Sequence, residues 1–319
     1  MAQAENHLIG LSDNMAQLVE RAAGTVVAVH GRGHRSSSGI HWRSGVVVTA
    51  EECVDRDESI TLTLPGGRVA EASFAGRDPT TDVAVFRFQP DGLPAATTVD
   101  AIPSAGHLVL AVGNYEGAPL AQLGIVAYAN GVWHSRRGGK IDRLVRLDLE
   151  LNPRAEGGAV LDVQGRVIGM AVLGPRRRVL AIPSATIDRA VDQLLARGQV
   201  FRGYLGAGLQ ALTQHDHHHG RHRHRRHHQN HQRHQQADAL QTPTSGVLVV
   251  SVDPNGPSAR AGILVGDIVT AWNGNPIGRV REVMRLLGPE SVGSTIDLAL
   301  IRAGSATETK VVIGERPVG

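Results

Sequence analysis

Apolar residues in this chain fall into short alternating runs separated by turn residues, with few long stretches of helical spacing. The first helical stretch is LSDNMAQLVERAAG, where apolar positions recur at three and four and stop at Gly24, which predicts a short helix in an N-terminal segment set at residues 1–19. Strand-like runs follow in TVVAVHG, SGVVVTA, SITLTLPGGRVAEASFAG and DVAVFRF, with turns at Pro65-Gly66-Gly67 and Asp78-Pro79. A second set comprises HLVLAVGN, LGIVAYANG, IDRLVRLDLEL, AVLDVQGRVIGMAVLG and RVLAIPS. Short strands at this rhythm, without long helices between them, predict barrels or sandwiches, here two successive six-strand groups over residues 20–184 that divide near residue 100.

The pattern changes at Ser184. SATIDRAVDQLLARG has a Ser or Thr near its start, apolar residues at helical spacing and Gly198 after Arg197, which predicts a capped linker helix over residues 185–200. Residues 201–316 form a further unit of mixed α and β type, with strands in GYLGAGLQAL, GVLVVSVD, IVTAWNG, TIDLALIR and ETKVVIG and helices in PSARAGILVGD and RVREVMRLLG. Between its first two strands lies QHDHHHGRHRHRRHHQNHQRHQQ, residues 214–236. A segment of this polarity cannot bury a core and is expected to be a disordered insert. The fold class is therefore mainly β, ending in an α+β unit.

Composition alters this picture in few places. The 319 residues suffice for two or three cores, and 38 glycines suit many tight turns. The formal charge of +3 is mild, and residues 215–234 alone hold five Arg against one acid, Asp216, so no nucleic-acid partner is expected. The single Cys, Cys53, excludes an internal disulfide framework, and no apolar run approaches the ~18 residues of a membrane span. MAQAENHLIGLSDN lacks the basic start and apolar stretch of a secretory signal, so the expectation is a cytoplasmic protein, or a periplasmic one if a leader is missing from this sequence.

The candidate chemistry lies in three separated stretches, SGVVVTAEECV at 44–54, DPTTDVAV at 78–85 and DLELNPRAEGGA at 148–159. In this order they resemble the histidine, acid and nucleophile motifs of the bacterial HtrA (Do-like) proteases, in which a chymotrypsin-like double β-barrel precedes a PDZ domain. Gly113-Asn114, Gly124-Ile125-Val126 and Ala181-Ile182-Pro183-Ser184 extend the resemblance, which covers about residues 15–316 apart from the insert. It implies that Asp82 matches the triad acid. Glu52 stands in the histidine slot, Glu156 in the serine slot, and Arg154 where the family has the glycine of the oxyanion loop.

Triad chemistry needs a nucleophilic oxygen, a base to take its proton and an acid to orient that base. A carboxylate at 156 is a poor nucleophile toward an amide, and Glu52 offers no imidazole to pass a proton to the leaving amine. Loss of either member removes most of the rate in triad enzymes. A side chain at 154 disfavours the backbone angles that aim an oxyanion donor. The expectation is a pseudoprotease. If Glu52, Asp82 and Glu156 converge, repulsion raises at least one pKa, unless a divalent cation or a base such as Arg154 neutralises them. The plainer alternative leaves both glutamates solvated or paired. Cys53 is expected to face away from the cleft and pack, and His30, His34, His41, His107 and His134 show no ligand spacing.

In the C-terminal unit the resemblance assigns Tyr204, Leu205, Gly206 and Ala207 to the loop that holds a peptide carboxylate. Val280, Val283, Met284 and Leu287 recur at i, i+3, i+4 and i+7, so one helix face is apolar and its outer edge would line the peptide groove. The expected partners are protein C-termini or unfolded polypeptide, with an occluded structural domain as the alternative. The insert offers His215, His217, His218, His219, His222, His224, His227 and His228 as nitrogen ligands for nickel, copper or zinc. An anion-binding arm and an insertion without a task are the other readings. The function expected is polypeptide binding as a chaperone, adaptor or regulator with no required cofactor, as a homotrimer or in mixed assembly with active relatives. The rivals are an active endopeptidase using non-standard residues and a metal-binding or delivery protein.

Overall fold

A computed structural model describes residues 2–32, 35–54, 59–212 and 246–316 and divides the chain into two compact units, Met1–Val200 and Phe201–Gly319. The chain opens with helix α1 (Ala2–Ala23), longer than the sequence pattern indicated. The extra turns are built from AQAEN, whose Ala, Gln and Glu are strong helix formers, and nothing breaks the helix before Gly24.

The first barrel is made of β1 (Val26–Arg32), β2 (Arg35–Arg43), β3 (Val46–Thr49), β4 (Ile60–Thr63), β5 (Val69–Asp78) and β6 (Val83–Phe88), closed in the order β1-β2-β3-β6-β5-β4. The second uses β7 (Leu108–Tyr115), β8 (Ala118–Asn130), β11 (Leu144–Asp148), β12 (Ala159–Leu161), β13 (Val167–Leu173) and β14 (Val179–Pro183), closed in the order β11-β14-β13-β12-β7-β8. A small hairpin, β9 (Trp133–His134) with β10 (Lys140–Ile141), stands outside it. The alternating runs predicted two six-strand groups, barrels or sandwiches, and both close as barrels, as the family resemblance implied. Closure removes exposed strand edges, and inward Val, Ile and Leu fill each barrel, with Phe86 and Leu62 fully buried in the first and Val160 and Ile168 in the second.

Helix α2 (Ser184–Arg197) is part of this first unit rather than a loose linker. Its Ile187, Ala190, Val191 and Leu194 are buried in a core shared with both barrels. Its polar side is also tied down. Asp188 accepts hydrogen bonds from Trp42 Nε1 at 2.8 Å and Arg43 at 2.6 Å, while Arg189 and Thr186 bind Asp142 of the second barrel at 2.6 and 2.7 Å. The helix thus straps one barrel to the other and ends at Gly198 in the left-handed conformation.

In the second unit, β15 (Gly203–Tyr204) pairs with β22 (Gly314–Glu315). The main sheet runs β16 (Ala207–Ala211), β17 (Val247–Val252), β18 (Ile268–Trp272), β20 (Thr295–Arg302) and β21 (Ser305–Val312), with β19 (Asn275–Pro276) on β18. Helices α3 (Pro257–Arg260) and α4 (Val280–Leu286) complete the unit around Val283, Trp272, Leu298 and Leu300. Arg302 grips the buried Asp267 with two hydrogen bonds of 2.8 and 2.7 Å and holds its carboxyl below the usual range. Among the described residues no helix is long and apolar enough to cross a membrane.

Because Leu194 is 1% exposed where α2 meets the barrels, Leu194→Ala is expected to cost the first unit about 2–5 kcal/mol. Denaturant unfolding should show this as a lower midpoint.

Candidate active-site cleft

A cavity of about 920 Å³ opens between the barrels, lined among others by Ser37, Glu52, Cys53, Tyr115, Arg154 and Glu156. Three loops bring its carboxylates together. A single 3-10 turn after β3, Glu51–Cys53, carries Glu52. The β5–β6 turn carries Asp82 in the left-handed region at φ +60°, and Asp82 Oδ1 accepts the Glu52 backbone N–H at 3.1 Å. The loop before β12 carries Glu156.

Burial pushes the Asp82 carboxyl up to about 7, and the neighbouring charges of Glu52, Glu156 and Glu51 push in the same direction. Burial also raises Glu156, helped by Glu52. Arg154 does not neutralise this group, because its guanidinium lies over the Tyr115 ring, 4.4 Å from the centroid. The cations at the rim are Arg77 and Arg137, at 3.3 and 3.4 Å from Glu51, with Arg137 4.0 Å from Glu52.

Glu156 has a structural task that its position in the sequence did not reveal. Between the Gly157-Gly158 corner and β13, Gly157 N–H donates to Ala171 O at 2.8 Å and Ala171 N–H donates to Gly158 O at 2.9 Å. The next rung is supplied by a side chain, with Leu173 N–H donating to Glu156 Oε1 at 2.8 Å. The carboxylate therefore extends the ladder where the main chain turns away.

The loop preceding it is closed on itself. Arg154 N–H donates to Asn152 Oδ1 at 3.0 Å, and Glu156 N–H is turned to Pro153 O at 3.4 Å. The Arg154 carbonyl accepts the Ser38 hydroxyl at 2.7 Å. In this conformation both amides are directed within the loop, and neither points at a developing oxyanion in the cleft.

Cys53 corrects the sequence reading. It packs against the core, as expected, but instead of facing away it also lines the cleft beside Ser37 and Glu156. Burial first, then the Glu156 and Asp82 charges, raise its thiol pKa strongly, which leaves it protonated and a weak nucleophile. His30 shares its Nε2 with Thr63 Oγ1 at 2.8 Å. His41 is buried and neutral, its Nδ1–H donating to Pro94 O at 2.8 Å while its Nε2 accepts Gly45 N–H at 3.1 Å. Among the described residues no three His, Cys, Asp or Glu side chains are grouped to hold a metal. His34 and the eight tract histidines, His215 to His228, lie outside the described residues.

In the second unit, Tyr204 pairs with Gly314, and its hydroxyl donates to Asp253 at 2.9 Å. Leu205 is buried, with its carbonyl held by the Ser258 N–H and hydroxyl at 2.9 and 2.6 Å. Gly206 turns the chain at φ +74° into Ala207 and β16, which among the described residues pairs in the main sheet only with β17. On α4, Val283 and Leu287 are buried in the core, whereas Val280 and Met284 remain partly accessible. Arg202 was not legible as a site residue. It is 7% exposed, and its guanidinium donates to the Leu287 and Met284 carbonyls at 3.3 and 2.9 Å, which satisfies the C-terminal end of α4.

A carboxyl whose pKa is raised on folding favours the protonated native state, so Asp82 lowers stability as pH climbs from its unfolded value near 4 to about 7. Asp82→Asn is expected to stabilise the protein at pH 8 and to lose that advantage near pH ~4, measured by urea unfolding at both values.

Comparison with known proteins agrees with this architecture. The trypsin-like peptidase domain family matches residues 37–170, and the PDZ domain family matches residues 203–313. The probable periplasmic serine endoprotease DegP-like of Brucella suis is 29% identical over 282 residues, covering 86% of this chain and 51% of that protein. This chain thus spans about half the length of its DegP-like relatives. The serine endoprotease DegS of Escherichia coli K12 is 28% identical over 323 residues, covering 94% of this chain and 85% of DegS. Among solved structures, the serine endoprotease from Yersinia pestis aligns with TM-score 0.70 and 28% identity over 95% of this chain and 98% of that one. The HtrA-type protease AlgW with a decapeptide shares the fold, with TM-score 0.70 at 23% identity over 95% of this chain and 99% of that one. The chain joins a trypsin-like peptidase domain to a PDZ domain and is homologous to the DegS and DegP proteases of the HtrA family.

Proposed function

We propose that this protein is an HtrA-like pseudoprotease that binds polypeptide without cutting it, as a chaperone, adaptor or regulator. The observation that carries this reading is Glu156, which occupies the nucleophile loop with its carboxylate committed to Leu173 N–H. The surrounding chemistry supports it, since Glu52 replaces the base and the Arg154 and Glu156 amides are both turned inward. Binding falls to the PDZ domain, where a protein C-terminus or an unfolded segment adds along β16, with Val280 and Met284 of α4 facing its side chains. The DegP-like relative is named as periplasmic, and we place this protein in the same compartment. Assembly with itself or with active relatives belongs to the same proposal.

Purified protein incubated with denatured casein is expected to retain the casein intact, with no labelling of the cleft by a serine-reactive phosphonate. Glu156→Ser alone is expected to restore no cleavage, because Glu52 still cannot act as an imidazole base. Casein turnover that disappears in Glu156→Ala would overturn the reading.

A second task is favoured by composition, since ten of sixteen histidines fall within residues 215–234. We propose that this tract binds nickel, copper or zinc. Calorimetric titration with nickel should show binding by the full chain and none after deletion of residues 214–236; equal binding by both would dismiss the tract as a metal site.

A further inference from the structure

Among the described residues, three acidic side chains line the barrel cleft, Glu52, Glu116 and Glu156, against one arginine, Arg154. The described arginines near it are engaged: Arg154 lies over Tyr115, and Arg137 reaches Glu51 and Glu52 from the solvent-exposed rim. Arg177 acts on Glu156 only through its charge, and Glu116 accepts the Tyr115 hydroxyl.

A second feature of the same cavity is Ser37. It is 5% exposed and lines the cavity, and among the described residues its Oγ has no partner but the weakly bonding Cys53 thiol. Buried hydroxyls are normally satisfied, so this oxygen marks a place for a donor.

The described carboxylates are not grouped closely enough to coordinate a metal ion, and a cavity of about 920 Å³ far exceeds a single ion. A guanidinium suits it better, being planar, weakly hydrated and supplied with five N–H donors spread over several ångströms. Glu156 has bonding capacity to spare, since a carboxylate offers about four acceptor directions and only two are taken, by Leu173 N–H and the Cys53 thiol. We propose that the cleft binds an arginine side chain of a polypeptide, with Glu52 and Glu156 pairing its guanidinium and Ser37 Oγ accepting one of its N–H groups. This gives the barrel unit a binding role separate from the PDZ groove, and it rests on the pseudoprotease reading only in that the bound segment leaves uncut.

The test uses the full chain and a fluorescein-labelled peptide, Ala-Ala-Val-Arg-Ala-Ala, amidated at its C-terminus so that it offers the PDZ domain no carboxylate. A citrulline twin keeps the shape and removes the charge. The arginine peptide is expected to bind about tenfold or more tightly than its twin, as charge-assisted pairing requires. Glu52→Gln and Glu156→Gln should each weaken it by about fivefold or more, with the thermal midpoint not lowered, because glutamine at 156 still offers an oxygen to Leu173. If Glu156→Gln fails to fold, Glu52→Gln, whose side chain is 60% exposed, carries the test. Equal affinity for the twins, affinity untouched by the substitutions, or no binding at millimolar peptide overturns the proposal. A peptide bound and then cleaved would leave the arginine site standing and remove the pseudoprotease reading.

Discussion

The two barrels meet on one backbone corner, and that corner has no room for side chains. A Cβ on Gly157 would stand 2.2 Å from the Ser38 carbonyl oxygen, and one on Gly158 would stand 2.4 Å from that of Val112. Gly157 also adopts φ +83°, which L side chains rarely accept. Through this close approach Ser38 N–H reaches Glu156 O at 2.8 Å, and the Ser38 hydroxyl joins Asn114 N–H to the Arg154 carbonyl. Gly157 is thus required by packing between the barrels and Gly158 by packing within the second, independently of any reaction at residue 156.

That separation of architecture from chemistry explains how a carboxylate sits in the nucleophile loop without disrupting it. Glu156 gains a backbone N–H as partner and loses hydration, and the balance appears as a raised pKa rather than a broken fold. Asp82 and Cys53 are pushed in the same direction by the same burial and the same charges. Low dielectric and like charge hold the cleft in a state that welcomes a cation and suppresses a thiolate.

The barrels were legible because closed antiparallel strands obey a local rule of alternation, broken at glycine turns that any window of ten residues reveals. The α2 helix was legible as a helix for similar reasons. Its docking was not, since Asp188 finds Trp42 and Arg43 some 146 residues away. Glu52, Asp82 and Glu156 were singled out through the resemblance of their motifs to the family, and the cleft brings their charges within reach of one another. The direction of Cys53 and the rung that Glu156 supplies to Leu173 depend on one tight turn and one strand end, where no periodicity speaks. Arg202 escaped for another reason, because an arginine beside a loop gives no sign that it will be buried against a helix end.

Asp82 keeps its place for reasons that have nothing to do with proton transfer. Its left-handed backbone angle is one that Asp tolerates better than most residues, and its carboxylate anchors the neighbouring turn through the Glu52 amide. Either duty accounts for an aspartate here with Glu52 beside it. Its presence is therefore explained by the shape of one turn, whatever chemistry the cleft performs.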